Sequence, residues 1–465
     1  MSSVLIETPG TLRPLLRLTT PVLIEQMLHL LVGFVDWWLA GNYLPGEAYL
    51  AAMTLIVYVL WFLSNLFSFV AHGSTALTAR FIGAGDAKTA NRVMNQSITS
   101  GLVWTAVLMA GTLPFAPQLV TMMGLTGQAA EAATQYLVIE LIVLPAIMIE
   151  RIGIACLRGA GDTISGLATM TIVNVINMAV SYGLLVGWGP LPAMGWTGIA
   201  LGTAIGHCCG ALILLGLLIG GRAGFHLRLT EMRPDWEMIR RILRIGVPGG
   251  IDMLLVAICQ LVFLRIILRL GDVPAAAHGL AIQIEALAYM PGGAFQIAAA
   301  TLAGQYLGAR DYYRAKRSVL MACVAASAIM VGAGVIFYVA ARPLTEFFVE
   351  DQNEAVVPLA SEVLRVIAFA MLPLAIMMVL VGALRGAGDT RWPLVFTFIG
   401  LLLVRLPLAV FFAYDEIVIP FTGVVLHGMG YGVVGAWYGA VTDICVRCGL
   451  MIARFWHGGW MRMQV

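Results

Sequence analysis

The sequence predicts an all-α membrane protein with about twelve transmembrane helices arranged as two six-helix, pseudo-symmetric bundles. Three observations lead there: long apolar runs, basic residues clustered in alternate loops, and a heptapeptide that occurs twice. Of the 465 residues, 60% are hydrophobic and 11% charged, whereas a soluble domain carries about 25% charged residues. Mean hydropathy is +0.91. A bilayer core takes about 20 mostly apolar residues per helix, which leaves room for about a dozen spans joined by short loops. The net charge of +2 is too small to suggest nucleic acid. Met1 to Thr11 has neither a basic region nor an Ala-x-Ala site, so the first helix is expected to stay attached rather than be cleaved as a signal peptide.

In order, the apolar runs place spans near 14–40, 50–79, 93–116, 132–156, 164–187, 194–220, 242–270, 275–306, 318–341, 358–384, 392–414 and 430–455. Basic residues set their direction. Arg13 and Arg17 open the first span, and Arg80, Lys88 and Arg92 follow the second. Arg151 and Arg158 close the fourth, and six arginines from Arg222 to Arg244 follow the sixth. Arg310, Arg314, Lys316 and Arg317 follow the eighth, Arg385 and Arg391 the tenth, and Arg454 and Arg462 the last. The intervening loops Asn42–Tyr49, Pro117–Glu131 and Gly187–Gly195 carry no basic residue, while Glu346–Glu354 and Asp415-Glu416 are acidic. Both termini are therefore expected on the cytoplasmic side of a bacterial inner (plasma) membrane.

Leu157–Thr163 reads LRGAGDT and Leu384–Thr390 repeats it, a displacement of 385 − 158 = 227 residues. Arg17 to Pro21 answers Arg244 to Pro248 in the same register, and Ala79–Asp86 answers Gly304–Asp311 at 225. This predicts an N-lobe at 1–220, a cytoplasmic linker at 221–241 and a C-lobe at 242–465. Six spans return the chain to the same side, so the lobes are parallel repeats, a build in which transporters bind cargo between rocking halves.

Within the first span, Glu25, His29 and Asp36 fall within about 40° of one another on a helix and form one polar stripe. An Asp at bilayer depth costs roughly 2.5–3.5 kcal/mol, so it needs a partner, a proton, an ion or water. Glu25 and His29 are spaced to bond each other or to relay protons to Asp36. In the second half, Asp252 and Glu285 are buried acids suited to a cationic substrate or to pairing with Arg265 or Arg405. The LRGAGDT loops read as turn chemistry, with Asp162 and Asp389 capping the following helices and Arg158 and Arg385 free for lipid phosphate or for those acids. The seven cysteines lie in or beside apolar runs, which argues against a disulfide framework. Cys445 and Cys448 lack a second ligand pair for a metal.

The double LRGAGDT, the first-helix Gly33-Phe34-Val35-Asp36 and the run Phe81-Ile82-Gly83-Ala84-Gly85-Asp86 together resemble the multidrug and toxic compound extrusion family, over nearly the whole chain. The resemblance implies a V of two lobes that exports organic cations or other drugs against a proton or sodium gradient. It also implies that Asp36 is the coupling acid, with Asn174, Asn177, Ser181, Thr203 and Tyr136 around it. Ser181 stands where some members have Asp, which weakens a direct sodium cage, although Na+ at Asp36 stays open. Val256 and Leu374 occupy places where one sodium-coupled branch has acids, so the chain is most similar to the branch named for the DNA-damage-inducible protein F.

The expected function is thus secondary active multidrug efflux by alternating access, with Asp36 taking a proton outside and losing it inside. The bland reading is a permanent hydrogen bond from Asp36 to Asn177 or Thr203. No cofactor is expected beyond H+ or Na+; the partners are small-molecule drugs and the bilayer, and the transporter is a monomer. The rivals are a lipid-linked oligosaccharide flippase, which needs a basic cavity for which Arg265, Arg365 and Arg405 are available; an intramembrane enzyme built on Asp36 with His29 or Asp443 with His427; and a passive channel. No hydrolase or metalloprotease motif supports the enzyme.

Overall fold

The computed structural model describes residues 10–189, 191–348, 355–418 and 425–463. The expectations for Met1–Thr11 and the acidic loop Glu346–Glu354 fall largely outside them. In the first half α1 is Leu12–Tyr43, α2 Glu47–Leu66, α3 Ser68–Gly83, α4 Ala87–Thr112, α5 Ala116–Met122, α6 Gly127–Ile142, α7 Leu144–Gly159, α8 Ile164–Val186 and α9 Trp196–Ile219. In the second half α10 is Trp236–Leu268, α11 Asp272–Gly308, α12 Tyr312–Val339, α13 Ala341–Phe348, α14 Val356–Gly386, α15 Arg391–Phe398, α16 Leu406–Ala413 and α17 Gly432–His457. Ten spans among the described residues are long and apolar enough to cross a membrane.

Several expected spans are interrupted. The second is split into α2 and α3 at Phe67, and the fourth into α6 and α7 at Val143, two residues before Pro145 removes a backbone donor. The eleventh loosens into a π-helical turn, Ile399–Arg405, between α15 and α16. A short hairpin, β1 Glu416–Val418 paired antiparallel with β2 Val425–His427, follows α16 and lies outside the all-α expectation. The seventh span begins inside the expected linker, because Asp235 caps α10 by accepting from the Met238 amide. The rest of the linker is strapped to α4: Asn95 accepts from the Arg228 amide at 3.0 Å, and Gln96 donates to the Glu231 carbonyl at 2.7 Å.

The two cores exchange helix starts. Leu15 and Leu18 of α1 pack in the C-lobe core, and Ile242 and Ile245 of α10, 227 residues later, pack in the N-lobe core. Glycines let the lobes touch backbone to backbone: a Cβ on Gly83 would lie 2.0 Å from the Gln305 carbonyl oxygen, and one on Gly308 2.1 Å from that of Arg80. Gln305 also donates to the Gly159 carbonyl at 2.8 Å, and Thr301 to that of Arg158 at 3.1 Å. All of these contacts lie at the end of the bundle that carries the LRGAGDT loops. They set the depth at which the polar stripe of α1 faces its neighbours.

Candidate functional site

Asp36 is 2% exposed, about two turns from the C-terminal end of α1. Its Oδ2 accepts from the Tyr136 hydroxyl of α6 at 2.7 Å and the Thr203 hydroxyl of α9 at 2.5 Å, and its Oδ1 from the Asn177 amide of α8 at 3.1 Å. Asn177 Nδ2 also lies 2.8 Å from Thr203 Oγ1 and 3.2 Å from Ser181 Oγ. Four helices meet here because Gly202 has no side chain; a Cβ there would stand 2.1 Å from Ser181 Oγ.

Three donors on two oxygens satisfy an ionised carboxylate. A proton is best accommodated on Oδ2, since hydroxyls can turn to accept while an amide NH2 cannot. The Asn177 side-chain Oδ1 is buried with no hydrogen-bond partner among the described residues, so one neutral oxygen remains for a hydrated or bare cation. Among the described residues no group of three or more His, Cys, Asp or Glu is placed to hold a metal ion. Sodium would have to rest on one acid and neutral oxygens. Asn174 is buried a turn away and donates to the Met170 carbonyl at 2.8 Å rather than to Asp36.

The other stripe residues have different partners from those expected. Glu25 is bound by Arg158 at 2.6 Å, not by His29. His29 Nε2 accepts from the Arg151 guanidinium, and an imidazole nitrogen that accepts carries no proton to relay. Asp252 is held by Arg385, not by Arg265 or Arg405. The LRGAGDT arginines therefore do not pair with their own loop acids: Arg222 takes Asp162 at 2.6 Å and Arg454 takes Asp389 at 2.8 Å. Both ion pairs obey the repeat, since 252 − 25 and 385 − 158 are each 227. Glu285 is half-buried, with Arg405 the cation acting on it. Arg405 itself bonds Asp443 at 3.0 Å, and Arg447 bonds the same acid at 2.6 Å, so Asp443 is not an acid free to act with the exposed His427.

The MatE family model matches residues 21–183 and again 248–411. The chain belongs to the multidrug and toxic compound extrusion family. The two matches start 248 − 21 = 227 residues apart, the displacement of the repeat. The chain is 28% identical over 460 residues to a probable multidrug resistance protein NorM of Thermotoga maritima, covering 99% of this chain and 95% of that one. It is 24% identical over 446 residues to an uncharacterized transporter, YisQ, of Bacillus subtilis, covering 95% and 93%. In fold it is similar to an outward-facing multidrug resistance MATE family transporter, at a TM-score of 0.87 and 21% identity over 99% of this chain and 98% of that one. It is equally similar to a MOP superfamily transporter of Pyrococcus furiosus, at 0.88 and 20% identity over 100% and 99%. As a member of this family the chain is a multi-pass membrane transporter and not an enzyme.

Sequence reasoning passed over Glu140, Glu150, Arg151 and His207 as site residues, all in the same lobe as Asp36. The signal was available: three of them, Glu140, Glu150 and Arg151, are charges inside one expected span, 132–156. A charge at that depth faces protein or a water-filled cleft, not lipid.

Proposed function

We propose that this transporter exports small organic molecules, organic cations among them, out of the cell in exchange for protons bound at Asp36, working as a monomer in the bacterial inner membrane with both termini cytoplasmic. The observation that carries this reading is the Asp36 carboxylate itself, buried on a helix long and apolar enough to cross a membrane and held by three donors from three other helices. Protonation removes the charge that α6, α8 and α9 converge on, which frees α1 to repack; a proton moving inward supplies about 2.3 kcal/mol per 100 mV. The names of the relatives support drugs as cargo. A basic cavity of the kind a flippase needs has little support: Arg265 and Arg365 are exposed and Arg405 is engaged by Asp443.

The test is transport of a fluorescent organic cation in proteoliposomes under a proton gradient and, separately, a sodium gradient. Proton-driven transport lost in Asp36→Asn supports the reading. Transport that survives in Asp36→Asn with the same gradient dependence removes Asp36 from coupling, and transport driven by sodium alone replaces the proton as the coupling ion.

A further inference from the structure

A second set of buried ionisable groups lies beneath Asp36. Glu140 stands one turn beyond Tyr136 on α6, and His207 one turn beyond Thr203 on α9; four residues of helix rise about 6 Å. Both are displaced towards the LRGAGDT end of the lobe, where α7 and α9 finish. Glu140 is 1% exposed, and neither of its carboxylate oxygens has a hydrogen-bond partner among the described residues. His207 Nδ1 lies 2.8 Å from Glu150 Oε2, while Glu150 Oε1 is buried without a partner among the described residues. Gly210 makes room for that acid, since a Cβ there would stand 2.0 Å from Glu150 Oε1.

The ionisable groups facing this set are Asp36 and His29 from α1, Tyr136 from α6, Arg151 and Arg158 from α7, and Cys208 from α9. The neighbouring helix α8 brings the neutral amides Asn174 and Asn177. Arg151 is engaged with His29 and Arg158 with Glu25, so neither cation is left over for Glu140. A buried carboxylate with no donor is stabilised by a proton or not at all.

We propose that Glu140, with the His207–Glu150 pair, is a second proton-binding site, which receives the proton released by Asp36 and passes it towards the cytoplasmic end of the N-lobe. The proposal rests on proton coupling at Asp36. Glu140 holds a proton at rest. Its O–H bond breaks as an N–H bond forms on the His207 ring, whose imidazolium is held by the Glu150 carboxylate, and the O–H bond of protonated Asp36 breaks as one forms again on Glu140. The His207 ring then gives its proton to water at the cytoplasmic end; once Asp36 is reloaded from outside, each group is back in its starting state and one proton has crossed.

The test is pH-titrated infrared difference spectroscopy of the purified full-length protein, in a background carrying Asp36→Asn and Glu285→Gln to silence the other candidate acids. A buried carboxylic acid C=O band that still titrates, and that disappears on adding Glu140→Gln, is the expected result. A background with no titrating buried carboxyl band overturns the proposal without needing the Glu140 variant to fold. Glu140→Gln alone in proteoliposomes should lower proton-driven efflux by about 100-fold, the low end of what a positioned proton-transfer group contributes, and should leave substrate binding in place. Wild-type efflux and pH profile in Glu140→Gln, with Asp36→Asn inactive, overturn the second site alone. Unchanged efflux in Asp36→Asn overturns the coupling reading beneath it.

Discussion

Replacing either member of the Asp252–Arg385 ion pair should destabilise the protein far more than replacing both. The two side chains are 4% and 6% exposed, so each charge depends on the other. Asp252 Oδ1 and Arg385 Nε and Nη1 are also buried without partners among the described residues, so the desolvation of the pair is only partly offset. Removing one partner of such a pair costs about 3–5 kcal/mol, whereas replacing both by neutral groups of similar volume is about neutral or slightly stabilising. A lobe of roughly 200 residues loses about 2–4 °C of melting temperature per kcal/mol. Asp252→Asn and Arg385→Gln should therefore each lower the melting temperature in detergent by roughly 6–20 °C, with the double variant back near wild type. The N-lobe counterpart, Glu25 with Arg158, should show the same pattern with smaller amplitude, because Arg158 is 20% exposed. A double variant that falls by the sum of the two single losses shows no coupling and refutes the reasoning.

Thr203→Val removes a 2.5 Å donor to Asp36 at a cost of about 1.5–3 kcal/mol; efflux should fall at least about ten-fold while Thr203→Ser transports normally, and equal activity in both would detach the hydroxyl from the site. Gly83→Ala drives a methyl into the Gln305 carbonyl and should cost about 1–3 kcal/mol as overpacking, whereas Gly111→Ala, with nothing within 4 Å, should leave the melting temperature unchanged; the pair is compared by heat unfolding in detergent. For Asp162, in the loop between α7 and α8, burial works to raise the carboxyl but the bonds from Arg222 and Ser165 outweigh it, and its pKa lies below the ordinary value. Its contribution is therefore complete above the ordinary carboxylate range and lost as pH falls through the depressed value, so Asp162→Asn should destabilise at neutral pH and make no difference at strongly acid pH.

The membrane character, the two-fold repeat and the importance of Asp36 are written in local chemistry. Apolar run length sets how many spans fit, the displacement of 227 survives any folding, and an acid at bilayer depth stands out against its own helix. Even the Glu25–Arg158 and Asp252–Arg385 pairs left a trace, because both members shift by the repeat. What the sequence by itself did not determine is which side chain meets which. Glu25 and His29 are neighbours on one helix face, yet each is claimed by an arginine from α7, since an ion pair in a low-dielectric interior goes to whichever charge the packing brings nearest. The exchanged helix starts, the glycine contacts at the seam and the approach of Glu140 and His207 beneath Asp36 likewise depend on the rotation and depth of whole helices. Those are settled only when backbones a hundred or more residues apart close against each other.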